Sequence, residues 1–185
     1  MQWRHIPNIF SVTRVLMVLP VAFSIVQDAF GLALILFIAA GLSDGLDGYL
    51  ARKYDWESAF GKMFDPVADK LLVLGVAVSL VYTGHLPMLL MCLMLVKDFV
   101  VIFGAFIYTL LAGFPEVKPL MIGKVTTAMQ IILITCLLIT AALQPVIAPW
   151  VMPALFWMVA LTTFIDGIIY LWVWTDKLRF DERYY

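Results

Sequence analysis

Charge is what this chain has least of. Only 14% of its 185 residues are Asp, Glu, Lys or Arg, where ordinary soluble domains carry about 25%. Hydrophobic residues make up 64% and the mean hydropathy is +1.00, a composition that excludes a soluble globular domain and predicts an integral membrane protein. No basic tract is present and the net charge is −1, which argues against a nucleic-acid partner. Cysteine is nearly missing too. Cys92 and Cys136 each stand in the middle of an apolar run, so neither a disulfide framework nor a thiolate metal site is expected. His5 and His85 stand alone, without ligand partners. Repeats, low-complexity tracts and soluble linkers are absent, which predicts a single domain over 1–185. The first apolar segment is interrupted by Arg14 and has no small-x-small site, so no cleavable signal peptide is expected.

What is present is a series of long apolar runs. A crossing needs about 20 apolar residues, and six runs meet that rule: Ile9–Val26, Phe30–Tyr49, Met63–Thr83, Pro87–Ala112, Met121–Leu143 and Trp150–Trp174. The fold class predicted is therefore all-α, six transmembrane helices with a short interfacial lead-in at the N-terminus. Orientation follows from the cations. Arg4, Arg52, Lys53, Lys62, Lys118, Lys177, Arg179 and Arg183 all fall on one side of a six-span topology, and the opposite side receives none. The positive-inside bias then puts both termini in the cytoplasm. Trp3, Trp56, Trp150 and Trp174 fall near predicted interfaces, as an aromatic belt would. Met88, Met91 and Met94 form an apolar stripe that reads as packing.

Against this background the stretch from Asp44 to Asp69 stands out. It places Asp44, Asp47, Asp65 and Asp69 at the cytoplasmic ends of the second and third spans. An ionised group at membrane depth costs about 2.5–3.5 kcal/mol on insertion scales, so such carboxylates mark function unless something else explains them. Asp44 and Asp47 are i,i+3, and Asp65 and Asp69 are i,i+4, so on helices each pair shares a face. Two such faces together make an oxygen-rich site suited to Mg²⁺ or Mn²⁺. The bland reading is a set of ion pairs with Arg14, Lys70 or Lys97.

Written as a pattern the stretch is D-x2-D-G-x2-A-R-x8-G-x3-D-x3-D, carried by Asp44, Asp47, Gly48, Ala51, Arg52, Gly61, Asp65 and Asp69. In this it resembles the CDP-alcohol phosphotransferase family, whose signature has these eight positions at this spacing. Eight fixed identities arise by accident at roughly one in 10¹⁰ per start site, so the match is specific. The resemblance implies a metal-dependent enzyme that displaces CMP from a CDP-linked lipid using an alcohol. It implies Asp44, Asp47, Asp65 and Asp69 as ligands of two divalent ions, and Asp69 also as general base towards the acceptor hydroxyl. Gly48, Ala51 and Gly61 would be small where the CDP moiety approaches, and Arg52 would contact phosphate oxygens. The alternatives are a cytoplasmic anchor for Arg52 and helix packing for the glycines. Pro66 is compatible with a first helical turn near Asp65. Family analogy further suggests a homodimer in the bacterial inner membrane, its site facing the cytoplasm.

Within the family the chain looks most like the branch using CDP-diacylglycerol. Its IPNIFSVTRVL opening and FDPVADKLLV run resemble both phosphatidylglycerophosphate synthases and CMP-forming cardiolipin synthases. The stretches KDFVVIFGAFIY, KPLMIGKVTTAMQ and ALTTFIDGIIY lean towards the second, although Lys97-Asp98 stands where those enzymes carry Arg-Asp. No arginine occurs between Arg52 and Arg179, which leaves Lys97, Lys118 and Lys124 to bind an acceptor. A small phosphorylated acceptor such as glycerol 3-phosphate needs several cations, whereas phosphatidylglycerol also gains affinity through its chains. The favoured acceptor is therefore phosphatidylglycerol, with glycerol 3-phosphate the alternative. For Lys97 and Lys124 the bland reading is snorkelling to the interface. An ion- or proton-coupled transporter is the competing class. It is disfavoured because the third span has no relay residues beyond Lys70 and the acidic groups stay on one side.

Overall fold

A computed structural model describes the backbone of residues 6–53, 59–112, 120–144 and 148–181, and side chains within 15–43, 70–108, 110, 120–144 and 148–176. Six helices account for nearly all of it: α1 Ile6–Val26, α2 Phe30–Lys53, α3 Ala59–Tyr82, α4 Met88–Ala112, α5 Met121–Leu143 and α6 Val151–Asp181. The order and number are those expected from the apolar runs. The ends differ where the chain turns polar. α2 continues four residues past Tyr49, α3 starts at Ala59 rather than near Met63, and α6 runs on past Trp174. Hydropathy locates the part of a helix that lies in hydrocarbon, whereas backbone hydrogen bonding carries the helix on into water. Counting described residues only, Met88–Tyr108, Met121–Leu143 and Val151–Asp176 are long and apolar enough to cross a membrane. Val15–Val26, Phe30–Ser43 and Lys70–Tyr82 are shorter apolar helical segments. The chain is an integral membrane protein.

Contacts divide the chain into two compact units, residues 1–87 with 134–146, and residues 88–133 with 147–185. In the first, α1 packs on both α2 and α3. Val21, Ile25, Ala33, Val76, Ala77 and Leu80 are fully buried there. Gly75 permits the close approach of α3 to α1, since a Cβ at that position would run into Cγ1 of Val18. Ser24 and Ser79 donate to the carbonyls of Pro20 and Gly75 (2.7 and 2.9 Å), so each buried hydroxyl is satisfied within its own helix.

Two tight stops shape this unit. At the end of α1, Ala29 N–H donates to Ser24 O and Asp28 N–H to Ile25 O, with Asp28 in the left-handed region at φ 57°. At the end of α3, His85 N–H donates to Leu80 O and Gly84 N–H to Val81 O, with Gly84 at φ 76°. Both are Schellman terminations, which return the last carbonyls of a helix to amide donors. Phe30 and His85 then meet edge to face, ring centroids 4.7 Å apart, bringing the two turns together. His85 Nδ1 also lies 3.0 Å from the Thr83 hydroxyl.

In the second unit α4 packs on α6. α6 buries Val159, Thr163, Asp166, Tyr170 and Trp174, which recur at helical spacing on one face. Trp174 was expected in an interfacial belt with Trp150. Trp150 is exposed, but Trp174 is buried against Tyr108, at a centroid separation of 5.9 Å, and against Gly104. A Cβ on Gly104 would overlap the indole, so the glycine is what admits the ring between α4 and α6. The methionine stripe is likewise split, with Met94 buried and Met88 exposed.

Candidate active site

The eight motif residues fall on helical backbone. Asp44, Asp47, Gly48, Ala51 and Arg52 occupy the last turns of α2, and Gly61, Asp65 and Asp69 the first turns of α3. Along α2 the two carboxylate positions are about 4.5 Å apart in rise, and along α3 about 6 Å. The connection between the helices is only five residues long, Tyr54 to Ser58. The motif's side chains lie outside the described residues, and so do those of Arg14 and Lys118. One local expectation changes. Because α3 begins at Ala59, Pro66 stands inside the helix rather than in its first turn. Among the described residues, no group of three or more His, Cys, Asp or Glu side chains is placed to hold a metal ion.

The described polar cluster belongs to the second unit. Lys97 of α4 is 5% exposed, and its Nζ lies 2.7 Å from Asp98 Oδ1 and 3.7 Å from Asp166 Oδ2 of α6. Lys97 therefore does not snorkel. Its ammonium is taken up by carboxylates, as a charge away from water requires. The polar seam continues along α6 towards α5. Gln130 Nε2 donates to Thr163 Oγ1 (3.3 Å), and the Thr126 hydroxyl to the carbonyl of Thr162 (3.3 Å). Tyr170 crosses α5 at Gly123, where a Cβ would come within 3.2 Å of the phenol oxygen. Lys124, the next residue, is exposed.

A groove of about 150 Å³ runs beside this cluster between α4 and α6. Leu93, Val96, Val100, Phe164 and Ile168 line it, together with Lys97. Asp98 and Asp166 were not among the candidate residues from sequence, although the rule that singled out Asp44 to Asp69 applies equally to a carboxylate inside an apolar run. They also correct one argument. The acidic groups are not confined to the ends of the second and third spans, because Asp98 and Asp166 lie well inside α4 and α6.

Helical architecture and carboxylates within apolar helices define a polytopic membrane protein with charged chemistry in its spans, a class that includes transporters and lipid-modifying enzymes alike. Sequence comparison resolves the class: residues 4–165 match the CDP-alcohol phosphatidyltransferase family model, and the chain belongs to that family. It is 34% identical over 146 residues to the human CMP-forming cardiolipin synthase, covering 70% of this chain and 48% of the human protein. It is 32% identical over 181 residues to a fission yeast cardiolipin synthase and mitochondrial hydrolase fusion protein, covering 89% of this chain and 30% of the relative. A Rickettsia felis CDP-diacylglycerol–glycerol-3-phosphate 3-phosphatidyltransferase is 32% identical over 173 residues, covering 90% of this chain and 93% of the relative. The chain spans half or less of the length of the cardiolipin synthases it matches.

Proposed function

We propose that this protein transfers a phosphatidyl group from CDP-diacylglycerol to an alcohol and releases CMP. The eight-residue pattern, carried by the end of one helix and the start of the next in a chain that belongs to the phosphatidyltransferase family, carries the reading. The acceptor hydroxyl forms a new bond to the phosphorus that bears diacylglycerol, the phosphoanhydride bond to CMP breaks, and the hydroxyl proton passes to Asp69. Arg52 steadies phosphate oxygens with its planar fork. Gly48, Ala51 and Gly61 leave the helix surfaces open to the nucleotide.

Asp44, Asp47, Asp65 and Asp69 form an all-oxygen donor set at one-turn spacings on helical backbone, which fits hard divalent cations. Two bound Mg²⁺ or Mn²⁺ ions would supply neutralisation of the diphosphate and of the charge that builds on the leaving CMP. We place the site at the cytoplasmic face of a bacterial inner membrane, in a homodimer with both termini cytoplasmic. The basic residues support that orientation.

For the acceptor we favour phosphatidylglycerol, giving cardiolipin. The scarcity of arginine disfavours a small phosphorylated alcohol, and the apolar groove beside Lys97 suits a lipid that brings its own chains. Lys97, Lys118 and Lys124 are the proposed acceptor contacts. A second reading, glycerol 3-phosphate as acceptor, is favoured by a specific observation: the Rickettsia relative matches over nearly its whole length.

One experiment tests these assignments together. Purified protein receives CDP-diacylglycerol with both acceptors, and the lipid product is identified by mass spectrometry. Cardiolipin is expected to dominate. CMP release is expected to stop in EDTA and return with Mg²⁺ or Mn²⁺. Dominant phosphatidylglycerophosphate would reverse the acceptor assignment, and full turnover with metal removal verified would end the metal reading.

A further inference from the structure

Resting on the reading of Lys97 as an acceptor residue, we propose that Asp166 of α6 is the residue that positions it. A lysine ammonium rides on a flexible four-carbon stem, so a lysine that binds a ligand in one place must be held there. Two carboxylates hold this one, Asp98 at 2.7 Å and Asp166 at 3.7 Å. They are not equivalent. Asp98 is the next residue on the same helix and moves with Lys97, whereas Asp166 ties the ammonium to a second helix.

The neighbouring residue suits the same purpose. At Gly167 a Cβ would be in contact with Lys97 Cγ and Cβ, at 3.7 and 3.9 Å, so the lysine stem lies across α6 where α6 has no side chain. An ammonium has three N–H donors. Asp98 lies within hydrogen-bond distance and takes one of them, whereas Asp166 at 3.7 Å holds the ammonium by charge alone and leaves N–H donors for an acceptor oxygen. Exposure separates the roles further. The Asp98 side chain is 23% exposed and that of Asp166 only 1%, so the cluster opens on the Asp98 side and Asp166 acts from behind. Asp166 is thus a positioning residue, out of reach of the substrate. It also falls one residue beyond the stretch that the family model matches.

The test uses the full chain in detergent micelles with whichever acceptor the product assay identifies. KM and kcat are measured separately for the acceptor and for CDP-diacylglycerol, with a thermal melt for each variant. Asp166→Asn is expected to raise the acceptor KM about tenfold, as misplacement of a binding group does, and to leave the CDP-diacylglycerol KM within about twofold. Asp166→Glu is expected to restore most of the loss. Lys97→Ala with Asp166→Asn is expected to be no worse than Lys97→Ala alone, because the second change acts through the first. A raised acceptor KM in Lys97→Ala with a native value in Asp166→Asn overturns the positioning role and leaves the acceptor reading standing. A native acceptor KM in Lys97→Ala ends the acceptor reading itself. Equal changes in both KM values, or a lowered melt without a KM split, show a purely structural residue and overturn the proposal. If Asp166→Asn does not fold, Gly167→Val displaces the lysine stem instead. There a raised acceptor KM supports the proposal and an unchanged one overturns it.

Discussion

At the scale of single residues, the division of labour among the four motif aspartates is the sharpest consequence of the proposed reaction. A carboxylate that only binds cations and one that also takes a proton respond differently to the same change. Asp69→Asn keeps the shape of the side chain and removes its basicity, so turnover is expected to fall by about 10²–10⁴-fold, the usual contribution of a general base. CDP-diacylglycerol binding at saturating metal is expected to survive better in Asp69→Asn than in Asp65→Ala. Rate and equilibrium binding measured on both variants decide it, and near-native turnover in Asp69→Asn would remove the base assignment. Asp166 shows how far the sequence was legible at this scale. The motif is dense and its spacing specific, so its residues declare themselves. A lone aspartate in an apolar run declares only a cost, and its partner Lys97 lies 69 positions away, where only the packing of α4 on α6 brings the two together.

At the scale of elements, the helices were legible because a bilayer admits few alternatives. Backbone polar groups in hydrocarbon must be satisfied within the segment, so apolar length alone predicts a helix. Helix ends and buried faces were less legible. The extension of α2 to Lys53 depends on hydrogen bonding beyond the apolar run, and the burial of Trp174 depends on a glycine 70 residues earlier. That contact also has a measurable consequence. Gly104→Ala places a methyl group into the indole at the α4–α6 crossing, and neither helix can yield without disturbing the Tyr108 contact. Overpacking of this kind costs about 1–3 kcal/mol. A lowered melting temperature for Gly104→Ala is expected, with little change for Gly31→Ala, where a Cβ meets nothing within 4 Å. Equal stability of the two variants would contradict the close approach.

At the scale of the whole molecule, the proposed placement of the reaction at the cytoplasmic face depends on a six-span threading of the membrane. Within the first unit, the turn after α1 and the turn after α3 meet through Phe30 and His85, so they lie at one end. Neither turn contains Lys or Arg, and Arg52, Lys53 and Lys62 belong to the opposite ends of α2 and α3. In the proposed orientation, the positive-inside bias puts that cation-bearing end, and with it the aspartate motif, in the cytoplasm. The test begins by replacing Cys92 and Cys136, both partly accessible, with serine or alanine so that the background carries no thiol. Single cysteines are then introduced at Trp56, at Lys177 and at Ala148, the last of these exposed between α5 and α6. In sealed cells, a membrane-impermeant maleimide is expected to label the cysteine at 148 alone. In inverted vesicles it is expected to label those at 56 and 177 alone. Labelling of all three from one side would overturn the six-span threading, and the reverse pattern would move the motif to the outer face, away from a soluble nucleotide pool. The reverse pattern would remove the physical basis for CMP release into the cytoplasm, whatever the aspartates do.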